Sequence, residues 1–411
     1  VIYWYQFAYY TALIVLLPFL APLVLFKRSF RKGLGERLGI YGLRKIKEKF
    51  SGRDTWVHAA SVGEVRMLKN IPDFSFAGSI ITCTTFTGRE TAANLHPDAA
   101  AVLMPLDLTI LMKRFIRLVR PRKLFILETE LWPGMIFTAR RLKTTIINGR
   151  LSDARFRGYL RWKRCLLKVF RYVDAVYPKN EENMLKFKAL GVSERKIRTP
   201  ADLKYLYEPP EISSEDMRYA PVSHPVTVFG STHYPEEKII SEVIRKIKIK
   251  FPDVTFVIAP RHLGRIEEIE RIFKNTGISP LRWSLKKGAF KPSEVIILDV
   301  MGELEALYSI ADMVFVGGSF SNTGGHNVME PASVSAPVVI GPSYSNFKEP
   351  VNYLKKCGAL RVAKSEDDLY NIFNGYLSEP ERAKEDGRKN GEAFCNMRKR
   401  VRETFTGAYD I

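Results

Sequence analysis

Hydrophobic and polar positions divide the chain into three stretches. Phe7 to Phe26 holds no charged residue and is about as long as a helix must be to cross a bilayer. From about residue 53, short apolar runs alternate with amphipathic segments. The runs Thr55–Ala60, Ser79–Cys83, Ala101–Leu106, Lys123–Leu127, Thr144–Ile147 and Ala175–Tyr177 predict strands. Segments such as Leu108–Val119, apolar at helical spacing, predict the helices between them. Around Tyr207–Val222 the alternation gives way to a stretch holding Pro209, Pro210 and Pro221, which marks a linker. It then restarts with Val226–Phe229, Thr255–Ile258, Val295–Leu298, Met313–Val316 and Val338–Ile340, and roughly the last thirty residues read as polar helix.

Strands separated by helices predict an α/β protein whose parallel sheets carry helices on both faces. A chain of 411 residues is too long for one such core. The expected division is an anchor helix over 1–30, one Rossmann-like domain over 31–206 and a linker over 207–222. A second Rossmann-like domain over 223–385 and a C-terminal helix over 386–411, which could pack back on the first domain, complete it. Two facing domains of this kind leave a cleft between the carboxyl ends of their sheets, where ligands of such folds bind. That is the GT-B arrangement of nucleotide-sugar transferases, and the pattern alone also permits epimerases and binding proteins.

Charge sharpens this picture. Lys plus Arg number 64 against 44 Asp plus Glu, a net +20, which favours anionic partners. One basic cluster, Lys27, Arg28, Arg31, Lys32, Arg37, Arg44, Lys45, Lys47 and Lys49, follows the apolar stretch. A second comprises Arg150, Arg155, Arg157, Arg161, Lys163, Arg164, Lys168 and Arg171. Trp4, Tyr5, Tyr9 and Tyr10 stand at the other end of the apolar stretch, as interfacial aromatics do, so the bulk of the chain is expected on the cytoplasmic side. Pro18 and Pro22 leave a kinked or partly inserted helix as the alternative to a straight span. No basic residue precedes position 27, unlike a cleaved signal peptide. The four cysteines are scattered and suggest neither disulfides nor a zinc site.

Candidate chemistry collects where strands are predicted to end. Ser61-Val62-Gly63-Glu64 follows the first strand, so Glu64 is either a base aimed into the cleft or half of a Ser-x-x-Glu capping box. Glu128 and Glu130 end another run; two residues apart on a strand, they would share a face and raise one another's pKa, and a structural ion pair is the alternative. Gly230-Ser231-Thr232-His233 and Ala259-Pro260-Arg261-His262 end two strands of the second half, and Arg261 could fork onto a phosphate. Gly317-Gly318 to Gly324-Gly325-His326-Asn327 and Glu330 reads as an amide cradle for an anion before a helix, with an Asn-x-x-Glu cap as the rival. HExxH, DxD, GxSxG and P-loop signatures are absent from the sequence, and neither metal nor cofactor is expected.

These segments carry a resemblance. Trp56-Val57-His58-Ala59-Ala60-Ser61-Val62-Gly63-Glu64, Glu128-Thr129-Glu130-Leu131-Trp132-Pro133, Ile147-Asn148-Gly149-Arg150-Leu151-Ser152, Gly230–His233, Ala259–His262 and Gly317–Glu330 occur in one order. Together they resemble the Kdo (3-deoxy-D-manno-octulosonic acid) transferases that act on lipid A precursor, glycosyltransferase family 30. The resemblance implies an inverting enzyme of the Gram-negative inner membrane that moves Kdo from CMP-Kdo to a lipid A precursor, with no nucleic-acid partner. It implies Glu64 as catalytic base, an acceptor-binding first domain and a CMP-sugar-binding second domain. Donor contacts would come from Ser231, Thr232, His233, Pro260, Arg261, His262, Gly324, Gly325, His326, Asn327 and Glu330. Ser61, Gly63, Glu128, Glu130, Asn148 and Arg150 would serve the acceptor or the scaffold.

One departure is Ala201-Asp202 before Leu203-Lys204, where the family usually has Gly-Asn; a possible anion replaces an amide. A transferase using another nucleotide sugar, a non-catalytic basic binder of anionic lipid and a nucleotide-sugar epimerase are the competing readings.

Overall fold

The computed structural model describes residues 2–26, 33–41, 54–72, 74–209, 225–285, 291 and 293–406. Most of the first basic cluster (Lys27, Arg28, Arg31, Lys32, Arg44, Lys45, Lys47, Lys49) and linker residues 210–222 lie outside these. The chain divides into two compact units, Val1–Leu206 with Arg400–Ile411, and Tyr207–Lys399.

The first unit is built on β1 (Thr55–His58), β2 (Ser79–Cys83), β3 (Ala100–Leu103), β4 (Lys123–Leu127), β5 (Lys143–Gly149) and β6 (Ala175–Pro178). They form one parallel sheet in the order β3-β2-β1-β4-β5-β6. β2 is buried along its whole length, which is why it reads as a continuous apolar run rather than an alternating one. β3 stops short of the expected Leu106 because Pro105 has no N–H for the ladder. Trp56 anchors the core, its ring 5.0 Å from Phe115 and its indole N–H donating to Thr82 Oγ1 at 2.8 Å.

The second unit holds β7 (Val226–Thr232), β8 (Thr255–Pro260), β9 (Leu281–Arg282), β10 (Val295–Ile297), β11 (Met313–Val316), β12 (Val338–Ile340) and β13 (Leu360–Val362). Its parallel sheet runs β13-β12-β11-β7-β8-β10-β9. The edge strands β9 and β13 were not expected; at two and three residues they are too short to show a period. Phe229, Phe256, Phe315 and Phe373 fill the core between sheet and helices. A long helix, Pro380–Phe405, closes the chain, and Phe405 is wholly buried 5.4 Å from the Tyr177 ring.

The N-terminal stretch forms a helix, Ile2–Phe26. Among the described residues no helix is long and apolar enough to cross a membrane, so the expected membrane helix gains no support from the fold. Tyr3, Trp4, Phe7, Ile14, Val15 and Leu16 are exposed on it, while its first turns are fixed to the first unit through buried Asp107. Tyr5 Oη donates to Asp107 Oδ2 at 2.8 Å, Gln6 Nε2 to the Asp107 carbonyl at 2.9 Å, and Gln6 Oε1 accepts the Thr109 amide at 2.9 Å. The same carboxylate accepts the amides of Gly134 and Met135 at 2.8 and 2.6 Å and so caps the helix Pro133–Thr138. A Cβ at Gly134 would lie 2.5 Å from the Asp107 carbonyl oxygen, so only glycine allows this approach. Asp107→Ala is expected to orphan these donors and cost about 2–4 kcal/mol, measured as a lower urea midpoint at unchanged m-value; an unchanged midpoint would remove Asp107 from the scaffold.

Candidate active site

In a parallel sheet, the two strands whose crossovers leave in opposite directions open a crevice at their carboxyl ends. In the first sheet these are β1 and β4, and in the second β7 and β11. The ends of those four strands and the segments after them hold Ser61–Glu64, Glu128–Glu130, Ser231–His233 and Gly317–Glu330, so the topology brings most of the expected chemistry to two switch points.

At the first, Ser61 caps the helix Val62–Leu68. Glu64 is 7% exposed; its Oε2 accepts the Ala60 amide at 2.8 Å and its Oε1 the Ser61 hydroxyl at 3.0 Å. The expected capping box is therefore present, shifted by one residue because the reciprocal bond goes to Ala60 rather than Ser61. Capping does not remove Glu64 from chemistry. Burial pushes its pKa up to about 7, and the Glu128 and Glu130 charges add to this against the opposing hydrogen bonds, so near neutrality the carboxylate can exchange a proton.

Glu128 and Glu130 do not share a strand face. β4 ends at Leu127 and Glu128 turns with φ 52°, so the period of two no longer applies. Glu130 bonds the Trp132 indole at 3.1 Å and Arg155 at 3.3 Å, the structural pairing that was the alternative. Asn148 is buried and fully engaged: Oδ1 accepts the Leu203 amide at 3.2 Å and Nδ2 contacts Met67 Sδ at 3.6 Å. The Arg150 amide donates to buried Thr129 Oγ1 at 2.9 Å while its side chain is exposed. Gly63 lies in the first turn of the capped helix.

At the second switch point the Gly317-Gly318 amides are already taken. Glu236, fully buried, accepts the amides of Gly318, Ser319 and Phe320 at 2.8 Å each and that of His233 at 2.8 Å. The anion in this cradle is the protein's own. A Cβ on Gly317 would fall 2.8 Å from Glu236 Oε2, which explains the glycine. Glu237, equally buried, binds Thr232 Oγ1 at 3.1 Å and Arg265 at 3.0 Å. Ser231 turns with φ 55°. Pro260 ends β8, and the Arg261 amide donates to the Thr232 carbonyl at 3.0 Å, placing exposed Arg261 and His262 beside the β7 turn.

Gly324 and Gly325 have φ 83° and 80° and fold the loop so that Gly325 N reaches the Gly318 carbonyl at 2.7 Å. His326 meets His233, Nε2 to Nε2, at 2.8 Å. The following helix is only Met329–Ser333, so His326, Asn327 and Glu330 do not share a helix face. Instead Asn327 Oδ1 accepts the Met329 amide at 3.1 Å and Nδ2 donates to Glu330 Oε1 at 2.9 Å. The rival Asn-x-x-Glu cap is not formed as such: the residue at the helix N-cap is Val328, with no side-chain cap bond, and Asn327 and Glu330 meet side chain to side chain.

Residues 32–207 match the family described as 3-deoxy-D-manno-octulosonic-acid transferase (kdotransferase). The 3-deoxy-D-manno-octulosonic acid transferase of Chlamydophila psittaci is 30% identical over 380 residues, covering 88% of this chain and 86% of that protein. The chain belongs to the Kdo transferase family. Its counterpart in Haemophilus influenzae is 29% identical over 401 residues, 91% of each chain. Among solved structures, Anabaena HepE in complex with UDP has TM-score 0.59 at 11% identity, covering 87% of this chain and 99% of that one. A UDP-N-acetylglucosamine 2-epimerase has TM-score 0.56 at 12% identity, covering 87% and 96%. At these identities the likeness shows a shared fold alone, one used by transferases and epimerases alike.

In this chain Asp202, where the family usually has Asn, finds a counter-ion. It is 5% exposed, its Oδ2 lies 3.2 Å from Lys179 Nζ, and its Oδ1 accepts the Lys204 amide at 3.0 Å. The sequence reading missed Asp107, Glu236 and Glu237. For the last two a signal existed: adjacent acids at a helix start, three residues past a strand-end turn.

Gln at position 64 keeps the donor and acceptor pattern of a protonated Glu but cannot titrate. The folded pKa of Glu64, about 7, exceeds the ordinary value of about 4.3. Its proton therefore stabilises the fold fully at low pH, and that contribution disappears as pH rises through 7. Glu64→Gln should gain on the order of 2–3 kcal/mol over wild type between pH 4.5 and 8, read from urea melts; a pH-independent difference would contradict the buried carboxylate.

Proposed function

We propose that this protein is an inverting glycosyltransferase that moves Kdo from CMP-Kdo to a hydroxyl of a lipid A precursor at the cytoplasmic face of the inner membrane. The carrying observation is Glu64, a buried carboxylate with its pKa near 7 at the β1/β4 switch point of a chain that belongs to this family. Ionised Glu64 takes the proton of the acceptor hydroxyl. The oxygen then attacks the anomeric carbon of Kdo, and the carbon–phosphate oxygen bond breaks on the opposite face with its electron pair leaving on CMP.

Cationic and dipolar groups must meet that charge. Arg261, with the histidines around it and the Gly324–Asn327 turn, is the set at the β7/β11 switch point suited to this. Support for a membrane-facing acceptor comes from the apolar exposed side of the helix Ile2–Phe26 and from the exposed second basic cluster. There Arg157, Arg161, Lys163, Arg164 and Lys168, all exposed, flank in sequence Trp162, itself 68% exposed. A phosphorylated lipid is the acceptor such a surface suits.

The test is transfer from freshly generated CMP-Kdo to tetra-acyl lipid A precursor, followed by mass spectrometry. Wild type should form product whose mass counts the sugars added. Glu64→Ala should lose about 10²–10⁴-fold in rate while its fold loses only the cap, about 1 kcal/mol. No product from wild type with active donor would remove Kdo as the transferred sugar. An active Glu64→Ala would move the base elsewhere, to Glu128 first.

A further inference from the structure

His233 and His326 come from loops after different strands, β7 and β11, and meet through a single contact. Their Nε2 atoms are 2.8 Å apart; the ring planes differ by 10° and the ring centres are 5.0 Å apart. The difference between those two distances is about what two ring radii supply, so both nitrogens lie on the line joining the centres. This is the in-line geometry of an N–H···N hydrogen bond. Two nitrogens so placed hold one proton between them, since two protons would repel and none would oppose two lone pairs.

Each ring is thereby left with one uncommitted nitrogen, Nδ1, and neither Nδ1 has a hydrogen-bond partner among the described residues. The neutral pair carries one Nδ1 proton. A further proton can enter at the other Nδ1 without breaking the shared bond. The rings are held in place for this. A Cβ at Gly318 would lie 2.9 Å from His326 Cδ2, and the His233 amide is fixed by Glu236 at 2.8 Å.

The groups facing the pair are His262, whose ring stands edge-on to His233 at 5.3 Å, with Arg261, Arg265 and Glu237. Arg265 is neutralised by Glu237 and Glu268, and Glu236 is spent on backbone amides. Arg261 has no carboxylate partner among the described residues. Burial first, then the neighbouring histidines and Arg261, hold the His326 pKa down to about 4 and lower that of His233. These neighbours keep the pair neutral beside an uncompensated guanidinium. An arriving phosphate reverses this field: it offsets Arg261 and rewards a proton on the pair.

We propose that the His233–His326 pair takes up one proton when the donor's phosphate binds beside Arg261, and that this charge stabilises the departing nucleotide. The inference rests on the reading of the protein as a CMP-sugar-dependent transferase. In transfer, the acceptor proton goes to Glu64, the acceptor oxygen bonds the anomeric carbon, and the bond to the phosphate oxygen breaks with both electrons on that oxygen. CMP then carries one more negative charge than its phosphate did in the donor. The protonated pair faces that charge and returns its proton to solvent as CMP leaves.

The test is the proton count of CMP binding to the full chain, from titration calorimetry at pH 7 in two buffers of different ionisation heat, with cytidine as the phosphate-free control. CMP alone, with a second pKa of about 6, would release protons on meeting cations, so net uptake must come from the protein. Wild type is expected to take up about 0.5–1 proton with CMP and none with cytidine. His326→Asn and His233→Asn should each lose that uptake and bind CMP about tenfold more weakly. CMP bound by wild type without uptake, or with equal uptake in both variants, overturns the proposal and leaves the donor assignment standing. Failure of folded wild type to bind CMP at all overturns the donor assignment, and this inference with it. Should a variant not fold, the wild-type count decides alone.

Discussion

Buried carboxylates that accept backbone amides organise the carboxyl edge of each sheet within its own unit. Where a parallel strand ends and its loop turns away, N–H groups lose their ladder partners and must be satisfied without water. Glu64 does this for Ala60, Asp107 for Gly134 and Met135, and Glu236 for His233 and three residues of the glycine loop. The Glu64–Ala60 and Glu236–His233 bonds are local, while those of Asp107 and the other three at Glu236 join segments that sequence keeps apart. Glu236 ties the turn after β7 to the turn after β11, beside the Gly317 amide that donates to the Gly230 carbonyl, and so helps hold His233 opposite His326. The site is in this sense built from charges that face inward.

The same constraint bears on the basicity proposed for Glu64. A carboxylate that caps a helix ordinarily has a low pKa, because amide donors favour the ionised form. Here burial outweighs the amide and hydroxyl, with two further acids nearby, and the balance settles near 7. Capping locks the rotamer, and desolvation supplies the basicity. In the second unit the logic is inverted: carboxylates are spent on amides and on Arg265, so Arg261 keeps its positive charge uncompensated beside the neutral histidine pair.

The sequence revealed long strands and strand-end motifs well, because parallel strands buried on both faces leave apolar runs that end abruptly. It also pointed to Glu64, since Ser-x-x-Glu after such a run suits a cap or a base, and the capping contacts are present. Other features depend on contacts far apart in the chain. Nothing near Gly318 says that its amide is occupied by an acid 82 residues earlier, and Asp107 gives no sign of facing Tyr5. The paired face expected of Glu128 and Glu130 failed for a local reason: one residue in the left-handed region ends the strand and its period. Asp202, unusual against the family pattern, becomes intelligible only when Lys179 is found beside it.

The central claim, that Glu64 is a base poised near neutrality by burial, is tested most directly by the pH dependence of kcat/KM for the acceptor with donor saturating. Wild type should show a rising limb with its midpoint near 7, because the carboxylate must be ionised to take the proton. The residual activity of Glu64→Gln should lack that limb. The same limb in the Gln variant, or a wild-type rate that is flat from pH 5.5 to 8.5, would contradict the account.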